Sequence, residues 1–244
     1  MEKLLQDKIA VITGAARGIG KGIALKFAEE GAVVVLVGRR LAALQKVRNE
    51  ILSAGGRAFC LTADVTVDHQ VADLSDAVLK EYGRIDILVN NAGISKEMPL
   101  LEMPVEVFDE ILTANLRSVM LVTKAFLPAM ARQKSGNIIN IGSGAALRGL
   151  PGSTAYSASK AGVVCLTQAL GDEVRPLGIR VNVICPGPVD TELFRKSAKR
   201  EYILKAGGDV FSTETVANGA LFLASRLSEG MNSQILTLRG FNRW

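Results

Sequence analysis

From residue 9 to residue 238, short apolar, β-branched runs alternate with amphipathic stretches of helical length, and no other feature restricts the fold so much. Runs at 9–13, 32–37, 57–62, 85–90, 137–141, 179–184 and 234–238 predict strands. Stretches at 18–30, 41–54, 67–82, 105–132, 155–175 and 213–225 predict helices; in the first, Ile19, Ile23 and Phe27 share one face. Strands this apolar need cover on both faces. The repeated strand–helix order therefore predicts an α/β fold: a single Rossmann-type, doubly wound domain over residues 1–244, its seven-stranded parallel sheet flanked by helices on both sides. The length suits one such domain, and no linker, repeat or low-complexity tract divides it. Residues 189–209 break the alternation with polar sequence and Gly207-Gly208. They read either as a flexible lid over a site, placed at 191–210, or as an ordinary surface segment.

Composition removes several classes of function. Hydrophobic residues make up 48% of the chain, too many for a disordered protein. The apolar runs are too short to span a bilayer, and the first residues carry charges of both signs with no cleavable apolar stretch, so a cytoplasmic protein is expected, with no membrane partner. The net charge of +5 comes from Lys and Arg scattered among Asp and Glu, without the basic run interleaved with aromatics that nucleic acid would require. Cys60, Cys165 and Cys185 sit in apolar sequence and read as reduced core thiols. A lone histidine, His69, leaves little for a metal site, and none is expected.

The segment Thr13-Gly14-Ala15-Ala16-Arg17-Gly18-Ile19-Gly20 follows the first strand and opens the first helix. Glycines at such a turn let backbone approach a pyrophosphate, and the helix N-terminus offers it unpaired N–H groups. Gly14, Arg17, Gly18, Ile19 and Gly20 are therefore candidate dinucleotide contacts. The second strand ends Val37-Gly38-Arg39-Arg40, with no carboxylate for a ribose 2′-hydroxyl. Arg39 and Arg17 can instead meet a 2′-phosphate through planar, charge-assisted hydrogen bonds, which favours NADP(H) over NAD; the plainer reading has them lining a helix start. Asp64 and Val65 follow the third strand, where an adenine edge would lie. Asn90-Asn91-Ala92-Gly93 ends the fourth; Asn91, Ala92 and Gly93 are candidate cofactor contacts, and Asn90 reads equally as a sheet-stabilising amide.

Tyr156 and Lys160 stand four residues apart, on one face of a predicted helix, with Ser143 thirteen residues before Tyr156. An ammonium beside a phenol favours the phenolate, so a lowered tyrosine pKa is expected, suited to proton exchange with a carbonyl or alcohol.

Taken together, Thr13 to Gly20, Asp64, Asn90 to Gly93, Asn115, Ser143, Tyr156, Lys160 and Pro186-Gly187 resemble, in order and spacing, the short-chain dehydrogenases/reductases, over nearly the whole chain. Within that family the chain looks most like the bacterial β-ketoacyl-[acyl-carrier-protein] reductase group, through Gly142-Ser143, residues 156–162 and residues 178–187. The resemblance implies hydride transfer between NADP(H) and a carbonyl. Ser143, at the carboxyl end of the fifth strand, would bond the substrate oxygen, and Tyr156 would donate the proton. Lys160 would hold the nicotinamide ribose and support ionisation of Tyr156. Asn115, at a break in the long fourth helix, would order a water toward Lys160. Pro186, Gly187, Val189 and Thr191 match the segment around the nicotinamide. It also implies a homotetramer built through the helices at 105–132 and 155–175.

Substrate and partner are less determined. A 3-oxoacyl thioester is the leading substrate; a free small-molecule ketone or secondary alcohol is the alternative, and a non-catalytic NADP-sensing protein a third reading. An acyl carrier protein is acidic, and relatives dock it on basic residues beside the active-site entrance. Lys134 falls at one such position, whereas the other is Leu177, with Arg175 two residues earlier. The end of the chain departs from the family, reading Asn232-Ser233-Gln234 before the last strand and Leu238-Arg239-Gly240-Phe241 after it, and Phe241 and Trp244 are expected to fill an interface, to shape the pocket or simply to pack the tail.

Overall fold

The structure is a computed structural model, and it describes residues 3–197, 200–205 and 208–240, apart from the Tyr202 side chain. The alternation resolves as β1 (Ile9–Thr13), α1 (Gly18–Glu29), β2 (Val33–Gly38), α2 (Leu41–Ser53), β3 (Arg57–Thr62), α3 (Asp68–Tyr82) and β4 (Ile87–Asn90). It continues with α4 (Val105–Leu112), α5 (Ser118–Gln133), β5 (Gly136–Ile141), α6 (Thr154–Val174), β6 (Ile179–Pro186), the short α7 (Glu192–Arg195) and α8 (Arg200–Lys205), then α9 (Thr213–Ala224) and β7 (Ile235–Leu238). The strands of the described residues form one parallel sheet in the order β3-β2-β1-β4-β5-β6-β7. Strand order reverses between β1 and β4, and the crevice at the carboxyl ends of those two strands is where such sheets bind ligands.

The period of two along β1 and β2 turns alternate residues into cores on opposite faces of the sheet. Ala10 and Ile12 of β1, with Val34 and Leu36 of β2, face α1, α2 and α9 and pack on Ile23, Phe27, Leu44 and Val216. Their neighbours Ile9, Val11, Val33 and Val35 face the opposite way, onto Val71 and Val78 of α3 and Val122 and Phe126 of α5. Nothing along these strands is polar enough to be left facing water, which is why the sheet is covered twice.

Three features differ from expectation. The long helix predicted over 105–132 is α4, a π-helical turn at Thr113–Arg117, and α5. A π turn widens the helix by one residue and re-aims the side chains within it. The three cysteines are free but are not all core: Cys185 is buried, Cys60 half-buried and Cys165 exposed on α6. Lys134 and Arg175-Pro176-Leu177 lie at the opposite edge of the sheet from the crevice, because they immediately precede β5 and β6, whose first residues Gly136 and Ile179 are paired. The length of those strands, roughly 20 Å, separates them from the crevice of the same chain, so they do not flank its entrance. Phe241 and Trp244 lie outside the described residues. No helix among the described residues is long and apolar enough to cross a membrane.

Candidate active site

The crevice is a cavity of about 990 Å³ running across the carboxyl ends of β1, β2, β4, β5 and β6. At one end, β1 turns into α1 through the glycine segment. Gly14 has φ +65, and a Cβ there would come within 2.8 Å of the Asn91 amide nitrogen, so the turn and the end of β4 close on each other only with glycine in place. Thr13 and Asn91 lock this contact. Thr13 Oγ1 accepts the backbone N–H groups of Asn91 and Ala92 at 3.0 and 3.1 Å, and Asn91 Nδ2 donates to the carbonyls of Thr13 and Gly14. No side chain caps α1, and its first turn carries no acidic residue. Arg17, Arg39 and Arg40 line the same end. An uncapped helix N-terminus beside cations fits an anionic phosphate group.

The cations are not idle. Arg17 forms an ion pair with Glu192 of α7. Arg39, well exposed, stands 3.8 Å from Asp64. Burial pushes the Asp64 carboxyl up, but two hydrogen bonds from Thr66, at 3.0 and 2.7 Å, together with the charge of Arg39, hold it below the usual carboxylate range.

At the other end stand Ser143, Tyr156 and Lys160. Ser143 follows β5 in an extended conformation, and its Oγ accepts the Ala145 N–H at 3.1 Å. Tyr156 lies in the first turn of α6, and Lys160, one turn on, is 5% exposed. Lys160 Nζ donates to the carbonyl of Ile141, the last residue of β5, at 2.7 Å and lies 6.0 Å from the centre of the Tyr156 ring. The electrostatics reverse the expectation drawn from the spacing alone. Burial raises the Tyr156 phenol above its ordinary value; a hydrogen bond from Ser143 pulls it the other way without prevailing, and the nearby Cys185 thiol adds to the rise. Burial also lowers the Lys160 amine, to about 8. The cost of burying both groups outweighs the pull of one on the other.

Asn115 sits in the π turn, fully buried, behind the cavity rather than on its wall. Its amide brackets Ile94: Oδ1 accepts the Ile94 N–H at 2.8 Å and Nδ2 donates to the Ile94 carbonyl at 2.9 Å and to Ser159 Oγ at 3.0 Å. A Cβ on Gly93 would fall 2.9 Å from Asn115 Oδ1 and 3.7 Å from Lys160 Nζ, so these three residues are contiguous. Gly20 is also off the wall, packed against Gly14 and Asn91. The other site residues named from the sequence, including Gly18, Ile19, Val65, Ala92, Pro186, Gly187, Val189 and Thr191, all line the one cavity. Asn90 resolves as a sheet amide, donating to Thr123 Oγ1 and Asn140 Oδ1 at 3.0 and 2.9 Å.

Sequence reasoning missed, among other lining residues, Arg40, Ile94, Glu97, Leu150, Ser153 and Glu192. Their one signal is position, in segments that follow the carboxyl ends of strands.

A parallel doubly wound sheet with a glycine turn, an uncapped helix start beside arginines and a Ser–Tyr–Lys set over one crevice is the architecture of a dinucleotide-dependent oxidoreductase. The short chain dehydrogenase family profile matches residues 8–202, and the chain belongs to that family. It is 38% identical over 245 residues to the 3-oxoacyl-[acyl-carrier-protein] reductase FabG of Chlamydia muridarum, covering 98% of this chain and 99% of the relative. Among solved structures it is similar to a short-chain type dehydrogenase/reductase from Mycobacterium marinum, with 37% identity, a TM-score of 0.93, and coverage of 98% and 96% of the two chains. It is also similar to a Beutenbergia cavernae protein solved with NADP bound at low occupancy, with 34% identity, a TM-score of 0.90 and coverage of 97% of each chain.

Proposed function

We propose that the protein is an NADPH-dependent carbonyl reductase whose substrate is a 3-oxoacyl thioester. The observation that carries this reading is that the uncapped, cation-lined start of α1 and the Ser143, Tyr156 and Lys160 side chains open into the same cavity. NADP(H) rather than NAD(H) is supported by β2 ending at Gly38 with Arg39 and Arg40 next and no carboxylate, whereas the Beutenbergia protein, described as NAD(P) dependent and holding NADP, supports a nicotinamide dinucleotide in general. The thioester is supported by the name and near-complete overlap of the Chlamydia relative.

When bound, the reduced nicotinamide supplies the hydride. Tyr156 supplies the proton to the carbonyl oxygen. Burial raises its pKa, so the phenol holds its proton at neutral pH, as a proton donor must. Ser143, which lines the cavity beside the phenol, holds the same oxygen. Lys160, mostly charged at pH 7 with its pKa at about 8, offsets the negative charge that Tyr156 gains on giving up its proton. Asn115 positions: by gripping Ile94 and Ser159 it fixes the backbone beside Gly93 against the turn of α6 that carries Lys160.

Homotetramer assembly belongs to the same reading, supported by an apolar groove between the π turn, α5 and α6 lined by Leu112, Leu116, Met120 and Leu166. The test of function is a panel of carbonyl compounds with NADPH. An acetoacetyl thioester is expected to be reduced faster than simple ketones, and Tyr156→Phe to lose turnover while retaining NADPH. Faster reduction of free ketones would replace the thioester assignment, and an active Tyr156→Phe would remove Tyr156 as the proton donor.

A further inference from the structure

Arg17 is the cation that borders the start of α1, and its partner is unusual in position. Glu192 opens α7, directly after Thr191, whose methyl carbon lies 3.3 Å from where a Cβ on Gly18 would stand. The segment after β6 therefore presses on the glycine turn, and the Arg17–Glu192 ion pair ties the two together across the cavity mouth. On its far side the same segment is held by Ser197 Oγ, which donates to Glu97 Oε1 at 2.7 Å. Both Arg17 and Glu192 line the cavity. A carboxylate thus occupies the guanidinium at the spot where the uncapped helix would receive a phosphate.

Resting on the dinucleotide reading above, we infer that Glu192 is a built-in competitor for that phosphate: on binding, Arg17 exchanges the Glu192 carboxylate for a phosphate oxygen of the cofactor, and Glu192 thereby sets cofactor affinity. The exchange is feasible because Glu192 has a second cation. Lys196, one turn along α7, donates to Glu192 Oε1 at 2.6 Å, so the carboxylate remains paired after Arg17 leaves. The two cations already hold the Glu192 carboxyl down at about 2, and it is ionised throughout the neutral range. Arg17 and Glu192 are both substantially exposed, so the pair is weak and a phosphate that also takes the helix N–H groups displaces it. The phosphate is either the pyrophosphate or the 2′-phosphate, and comparing NADPH with NADH tells them apart.

Dissociation constants for NADPH and NADH, measured by calorimetric titration without substrate, test this in a four-protein cycle: parent, Glu192→Gln, Arg17→Met and the double variant. Glu192→Gln is expected to bind NADPH about two- to five-fold more tightly, the fold-change corresponding to an exposed ion pair. That gain is expected to vanish in the Arg17→Met background. A gain shared by NADH assigns the exchange to the pyrophosphate; a gain confined to NADPH assigns it to the 2′-phosphate. Absence of any gain, or a gain that persists undiminished without Arg17, overturns the inference, the latter because it would be a general effect of net charge. Failure of the parent protein to bind either dinucleotide would overturn the cofactor reading together with this one, whereas binding with no effect of Glu192 sinks only the exchange.

Discussion

Replacing Lys160 with Met separates the energetic cost of the site from its chemistry. The amine is 5% exposed, and burial moves its pKa from 10.5 to about 8. The unfolded chain holds this proton up to about 10.5 and the folded chain releases it near 8, so in the parent protein stability rises with pH across that window. The gap amounts to about 3 kcal/mol of stability withheld at pH 7, falling below about 1 kcal/mol at pH 10. Met fills similar space without a charge and carries no such penalty. It also forfeits the hydrogen bond to the Ile141 carbonyl, at a cost of about 1–3 kcal/mol that depends little on pH. The pH-independent part cancels when the two proteins are compared at two pH values. Relative to the parent, Lys160→Met is expected to be more stable at pH 7 than at pH 10 by about 2 kcal/mol. For a chain of this size that is a change of roughly 4–8 °C in the difference of melting temperatures. Thermal or urea unfolding of both proteins, free of cofactor, at pH 7 and pH 10 measures it, with loss of carbonyl reduction in the variant as the companion readout. A stability difference that stays flat between the two pH values, or that grows toward alkaline pH, refutes the argument that burial governs this amine.

Two further predictions rest on the cofactor end. Arg39→Ala should weaken NADPH by roughly 10- to 100-fold, the range of a charge-assisted hydrogen bond, and NADH by about two-fold or less; equal losses would show that Arg39 does not meet a 2′-phosphate. Gly14→Ala should lower both stability and dinucleotide affinity, because the new Cβ would stand 2.8 Å from Asn91 Nδ2 at a φ of +65; unchanged unfolding and binding curves would show that the turn relaxes freely.

Much of the architecture was legible because each element carries its own periodicity. Runs such as Val33-Val34-Val35-Leu36-Val37 can only be strands buried on both faces, and the position of the glycine turn directly after β1 places it at the switch point of the sheet. The π turn was not legible from composition, since Thr113-Ala114-Asn115-Leu116-Arg117 contains nothing that an α-helix would refuse; only the family resemblance placed a break there. Spacing along α6 correctly put Tyr156 and Lys160 side by side, yet the direction of the tyrosine shift depends on how β5 and the loops after it bury both groups, which is a property of the tertiary structure. The position of Lys134 was recoverable in principle. A residue just before a parallel strand lies at the amino edge of the sheet, away from a crevice formed at the carboxyl edge.

Beneath the crevice, Thr123 of α5, Asn90 of β4, Asn140 of β5 and Thr167 of α6 form a chain of side-chain hydrogen bonds, Asn140 Nδ2 reaching Thr167 Oγ1 at 2.8 Å. Methyl groups pack acceptably in several arrangements, but amides and hydroxyls with no water near them are satisfied in few. The spacing between the helix that follows Asn115 and the helix that carries Tyr156 is thus gauged by polar groups with little tolerance for slippage. Rim segments such as residues 94–99 and 147–153 can therefore change length or polarity to suit a different substrate while the distance between those two helices stays fixed.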